Sequence, residues 1–559
     1  MFKKILSPWA EIDVGRAIGI NERVQDLNGC RIGLFAHFKQ HALVLLEEVQ
    51  ARLAERFPTA SFTTLQYTRE CMEIENDPEF QKVLLPWLKD VDVVVAAYGD
   101  MGSCALFLSY NLAYIERQGV PVVMLCDKDF YNTSRRGADA RLVSGMRIVT
   151  TPMHDLSFVP ALDESIRERL VRPAVESCLE ELIAALTEPL TEAERTPVQK
   201  DNGDAHLTFE GSYDEINRAF YLRGWTDGSP IVPPTEEAVA EMCRGTDLPR
   251  DHVVATLAPL NGKATVEKIA INGLIAGCTP TMMPILIAIA EGMGDHEVIK
   301  LEGWTCSNAG WLPTIVVSGP IRKAIGINAG RNFLSAYTRP QACIARAMAY
   351  MIMNISGVRS QTEDMSGPGS DSRFGLCVAE DEENSPWETL PADLGLEDGD
   401  NAVTLFWPSE HHQLPVMSPS ACLDRLCHLW HGGFDVGMMI TLPPEGAKVF
   451  ADAGYTKQDI LNYVKEYNRR PSSEIPRAAI GNNHPRKGLV FPADGLVHSA
   501  PLMWNTDHSF VMVAGRDWGM AYLGGGDHGG PICKKAVLPK DWDALCEKYP
   551  GTLPQNVDY

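Results

Sequence analysis

Along the first third of the chain, short apolar runs alternate with longer segments of helical period. Arg31-Ile-Gly-Leu-Phe-Ala36, Ser61 to Tyr67, Val91 to Tyr98 and Val120 to Leu125 read as strands, because they are β-branched or aromatic runs bounded by turn residues. Between them, His41 to Phe57, Glu79 to Lys89 and Ala105 to Gln118 carry apolar residues at helical spacing, and Gly119 closes the last. Pro86 predicts a kink or split in the second helix, and Pro173 an interruption in a closing helix over Glu164 to Leu186. Strand–helix alternation of this kind builds a parallel sheet covered on both faces. The predicted fold class is α/β, with an N-terminal parallel domain of flavodoxin-like or doubly wound type over 1–190.

The pattern then changes. A polar, charged segment, 191–207, with Pro197, Asn202 and Gly203, reads as a linker. Residues 208–395 are mainly helical, with a strand at Thr314 to Ser318 and a capped helix start at Ser212-Tyr-Asp-Glu. Residues 396–559 mix strands (Ala402 to Trp407, Val511 to Ala514) with helices (Glu445 to Ala453, Gln458 to Arg469), and together with 208–395 make a larger mixed α+β C-terminal region. Ile269 to Ala290 is uncharged over the length of a bilayer span, but Gly277, Pro280 and Pro284 interrupt it. The expectation is two buried helices broken near Cys278-Thr279-Pro280, and no membrane partner.

The net charge of −23 removes the case for nucleic acid, since phosphate binding needs clustered Lys and Arg. A small-molecule substrate is expected instead. The 14 cysteines include no CxxC pair, and the start lacks an apolar core of signal-peptide length, so the expectation is a cytoplasmic protein with reduced thiols.

Candidate chemistry concentrates at Gly99-Asp100-Met101-Gly102-Ser103-Cys104, where a buried strand hands over to a helix. A thiol there meets the positive end of the helix dipole and free backbone N–H groups, both of which favour thiolate. Cys104 is therefore the leading nucleophile, set against packing in the first helical turn. Asp100 either handles a proton or caps the helix. Gly102 and Ser103 are candidate substrate contacts, Gly102 because it admits close backbone approach.

Gly99 to Cys104, followed by Glu116-Arg-Gln-Gly-Val-Pro-Val-Val-Met-Leu-Cys126, resembles the bacterial family named for its U-G-S-C motif, in which U is selenocysteine or cysteine. It is more distantly similar to the selenoprotein B subunits of glycine and betaine reductases. Further segments resemble the first family: Gly224 to Thr235, Ala276-Gly-Cys-Thr-Pro280, Gly319-Pro-Ile-Arg322, Cys377 to Trp387 and Pro444 to Asp459. Met101 stands where that family places selenocysteine or cysteine. A thioether forms neither a thiolate nor an S–S bond, so two-centre redox chemistry within the motif is excluded. The segments around Cys306 and Thr338 also depart from the family pattern.

Beyond the turn, Cys278 at the helix break is a second catalytic candidate, and Cys126, Cys278 or Cys306 a possible second sulfur. His508 and His528, on glycine-rich loops, suit acid–base work near neutral pH. Arg322 offers a carboxylate-binding fork or a structural ion pair. Glu383, within the acidic run Glu380 to Glu383, and Asp227, in Gly224-Trp-Thr-Asp-Gly, are candidate substrate contacts. His428 and His431 have a spacing that ligates metals, but no carboxylate motif supports it, and no metal or other cofactor is assigned. The reading from sequence is cysteine-dependent chemistry, reductive or lyase-type, on a small carboxylated or heteroatom-bearing metabolite. The alternatives are a non-redox hydratase, lyase or hydrolase, and a non-catalytic partner of a paralogous subunit. A homo-oligomer is expected.

Overall fold

The computed structural model describes the chain except residues 14, 16, 70–71, 153–162, 199–200, 297–300, 368, 370–373, 429–436, 472–498, 502–505, 518, 527–529 and 552–559. The first strand, β1 (Phe2–Leu6), takes no part in the N-terminal sheet. That sheet and its helices are built from β2 (Arg31–Ala36), α1 (Gln40–Arg56), β3 (Ser61–Gln66), α2 (Pro78–Lys89), β4 (Val93–Gly99), α3 (Gly102–Arg117), β5 (Val122–Asp127), α4 (Tyr131–Ala140) and β6 (Arg147–Thr151). The five strands are all parallel, in the order β3-β2-β4-β5-β6. Counted from β2, this is the 2-1-3-4-5 order of flavodoxin-like folds, and the fold class is α/β.

Strand β4 is buried at every position, which accounts for its unbroken apolar run. Its side chains alternate between two cores. Val93, Val95 and Ala97 pack with α1 and the helix Arg172–Thr187, while Val94 and Ala96 pack with α2 and α3. The helix α2 runs through Pro86 without a break. Ahead of Pro173, the chain winds as a π-helical stretch over Arg167–Val171, so the proline falls in the first turn of the next helix.

The N-terminal residues belong to a different neighbourhood. β1 pairs antiparallel with β7 (Thr208–Gly211), and Ile5 and Ala10 join the core of the second region. Lys268 Nζ donates to the carbonyls of Ser7 (2.9 Å) and Ala205 (2.8 Å), fixing both the chain start and the end of the connecting segment. The segment 191–207 is itself partly docked, with a capped turn at Glu192–Arg195 whose Glu194 pairs with Arg147 at 2.8 Å.

The uncharged stretch from Ile269 is two buried helices, Val266–Ala276 and Met283–Met293, broken at left-handed Gly277 (φ 93°). Among the described residues no helix is long and apolar enough to cross a membrane. The hairpin β8 (Val253–Leu257) and β9 (Gly262–Thr265) leads into the first of these helices. A mixed sheet comes next in the order β11-β10-β12-β19, from β10 (Thr314–Ser318), β11 (Leu376–Ala379), β12 (Ala402–Phe406) and β19 (Ile532–Lys535). Strands from both sides of residue 395 therefore share one sheet. A further sheet has the order β13-β18-β14-β17, from β13 (Glu410–Pro415), β14 (Gly437–Leu442), β17 (Phe510–Val513) and β18 (Gly519–Gly526), and β15 (Arg469–Pro471) pairs with β16 (Ser499–Pro501).

Candidate active site at the strand-to-helix turn

In a parallel α/β sheet the crossover helices change faces where the strand order reverses, and the loops part there. Here the reversal falls between β2 and β4. The loop after β2 supplies His37, Phe38 and Lys39, and the first turn of α1 supplies His41. The loop after β4 supplies Asp100 and Met101, with Gly102 and Cys104 next on α3. Gln66 Nε2 donates to the His37 carbonyl at 3.2 Å and steadies the first loop.

Asp100 does not cap α3; Met101 occupies that position, without a side-chain hydrogen bond to the helix. The Asp100 carboxylate is instead held between two basic side chains, with Lys39 Nζ 2.5 Å from Oδ1 and His41 Nε2 2.8 Å from Oδ2. All three residues are buried. Burial by itself would raise the Asp100 pKa, but Lys39, His41 and His37 outweigh it and hold the carboxyl well below its usual range. His37 is buried too, and neither ring nitrogen has a hydrogen-bond partner among the described residues. Burial first, then the neighbouring Lys39, depresses its pKa well below the usual value, so His37 is a neutral imidazole at neutral pH. The His41 ring stands edge-on to Tyr98, whose hydroxyl lies 2.7 Å from Thr151 Oγ1.

Cys104 is 3% exposed, on the first turn of α3, yet it belongs to none of the apolar clusters formed by the described residues. Gly102 admits a close backbone approach, as its position suggests, but the approaching group is the chain's own loop. A Cβ there would sit 1.8 Å from the carbonyl oxygen of Cys306. Gly102 N donates to Asn308 Oδ1 at 2.8 Å, so the second region reaches over and closes one helix-terminal donor. Ser103 is buried in the same turn.

The remaining sequence candidates are dispersed. Cys278 lies in the core of the second region, where burial, and then neighbouring Cys343, push its thiol well up. Burial likewise raises Cys126, to about 12, and Cys306, which packs against Leu106, Phe107 and Tyr110 of α3. No disulfide joins any of the described cysteines. Arg322 and Glu383 satisfy each other: the buried Arg322 Nη2 lies 2.6 Å from the exposed Glu383 and 2.9 Å from Glu382. Burial opposes the ionisation of Glu383, yet Arg322 and Lys323 hold it down to about 2. Asp227 takes both ends of the Arg346 fork at 2.9 Å. His508 sits in a turn beside Gly530. His528 and His431 lie outside the described residues. Among those described, no three His, Cys, Asp or Glu side chains are grouped as metal ligands.

Sequence reasoning alone overlooks His37, Lys39 and His41. The signal is present as three ionisable residues within five positions just past a strand, but it gains meaning only once β2 is known to lie beside β4.

Fold and turn together define a parallel α/β protein with a cysteine on a strand-to-helix turn at the sheet's switch point. Residues 4–188 match the family model of the UGSC family. No curated protein matches the chain.

Proposed function

We propose that the chain is a cytoplasmic enzyme that acts on a small metabolite through the thiol of Cys104. His37 supplies an unprotonated imidazole, and the Lys39–Asp100–His41 group fixes the charge at the turn. The observation that carries this reading is the gathering of His37, Lys39, His41 and Asp100 at the switch point, where α/β sheets bind ligands, with Cys104 on the first turn of the helix that starts there. Lyase-type chemistry, in which the thiolate adds to an electrophilic centre and is later expelled, fits better than reduction, because Met101 leaves the motif one sulfur short of a redox pair.

The test is a pH titration of thiolate ultraviolet absorbance, wild type minus Cys104→Ser, on the native protein. A midpoint clearly below about 8.5, the value of an ordinary thiol, is the expected result. A midpoint at or above that of an ordinary thiol would return the chemistry to the acid–base groups of the later regions, or to a paralogous active subunit.

A further inference from the structure

A cavity of about 310 Å³ opens between the N-terminal domain and the region after it, and none of Lys39, Asp100 and His41 lines it. Its walls carry Trp9, Arg136, Arg223, Trp225, Arg359 and Glu363. We infer that this cavity binds a small planar monocarboxylate, with its carboxylate on the Arg359 guanidinium and its flat body against the indole of Trp9.

The guanidinium of Arg359 lies 4.9 Å from the Trp9 ring centre, and that of Arg223 lies 5.5 Å from the Trp225 ring centre. Arg359 Nη1 donates to the carbonyls of Met353 and Val358, which fixes the plane of the group. Its Nε and Nη2 have no protein acceptor among the described residues. Two parallel N–H donors of this kind match the two oxygens of a carboxylate. The carboxylate nearest in sequence is already committed: Glu363 accepts the Arg359 backbone N–H at 2.9 Å and lies 3.3 Å from Arg136 Nε. Burial pushes the Arg359 guanidinium down to about 10, and a bound anion would offset that cost. Asp139 and Asp204 also line the cavity, so a dianion such as phosphate meets more repulsion than a monocarboxylate. The volume suits a single-ring acid. The site does not depend on the chemistry of Cys104, although the segment from Arg359 to Met365 leads from the cavity to Gly102.

The experiment is isothermal titration of the full-length protein with benzoate, alongside benzyl alcohol and inorganic phosphate. Saturable benzoate binding, about tenfold or more tighter than either control, is the expected result, since each 1.4 kcal/mol of preference is tenfold. Arg359→Lys keeps the charge but loses the fork, and should weaken benzoate about tenfold. Cys104→Ser should bind as wild type does, which separates this inference from the proposed function. Arg223→Gln alters an exposed side chain and guards against misfolding of the Arg359 variant; it should weaken benzoate about threefold, as loss of one neighbouring charge would. The inference is overturned if benzoate binds no tighter than benzyl alcohol or phosphate. Wild-type affinity in a folded Arg359→Lys, or in Arg223→Gln, overturns it equally.

Discussion

Replacing Asp100 by Asn tests whether the buried charges at the turn act as one unit. Lys39 Nζ and Asp100 Oδ1 are 2.5 Å apart, with side-chain exposures of 7% and 0%. At an effective dielectric constant of about 20, their attraction is about 7 kcal/mol before the cost of desolvating both groups is charged against it. Removing one partner leaves the other buried and uncompensated, which costs about 3–5 kcal/mol. Asp100→Asn and Lys39→Met should therefore each destabilise the N-terminal sheet by that amount. The double variant should cost far less than the sum, because no charge is then stranded. Hydrogen exchange of peptides from β4 is the suitable assay, since it reports on this sheet whatever the other regions do. A loss of 3–5 kcal/mol corresponds to roughly a hundredfold to several-thousandfold faster exchange. The sign with pH is also fixed. The Asp100 pKa is depressed in the fold, so its stabilisation is present above the ordinary carboxylate range and is lost only as pH falls below about 4, towards the depressed value. Additive single effects, or an Asp100→Asn cost under about 1 kcal/mol, would refute the reasoning.

Contacts elsewhere in the molecule give two more expectations. Gly102→Ala tests steric closure alone, because Gly102 does not have positive φ. The new Cβ would meet backbone at 1.8 Å, so it should displace the Cys306–Asn308 loop and cost about 1–3 kcal/mol, read as faster exchange in peptides spanning that loop. Glu380 is fully buried, and burial raises its pKa from 4.5 to about 7, with Ser318 Oγ and the Leu390 N–H as its hydrogen-bond donors. A raised folded pKa means stability is full below about 4.5 and falls as pH rises to about 7, a loss of about 3 kcal/mol. Thermal midpoints at pH 5 and pH 7.5 should differ in wild type and converge in Glu380→Gln; a wild type whose midpoint falls no more than the variant's would count against the assignment.

The local pattern of the chain was enough to determine β2 to β5 and α1 to α3 of the N-terminal domain, though not α4, as well as the break at Gly277 and Cys278 and the placing of Cys104 on the first turn of a helix. These features arise from forces acting over a few residues: alternation between two cores, left-handed glycine, and β-branched runs that need burial on both faces. Strand β6 escaped notice because Arg147-Ile-Val-Thr-Thr151 is short and half polar. Only the tertiary structure decided that β2 lies beside β4, and so that Lys39 and His41 meet Asp100 from about sixty residues away. It alone set Asn308 on Gly102 across 206 positions, paired β1 with β7, and closed Arg322 onto Glu382 and Glu383. The physical reason is that an ionisable side chain carries no mark of its partner. Whether a carboxylate caps its own helix or pairs with a lysine from another loop depends on which chain segments pack together, and that is settled by burial summed over the whole core.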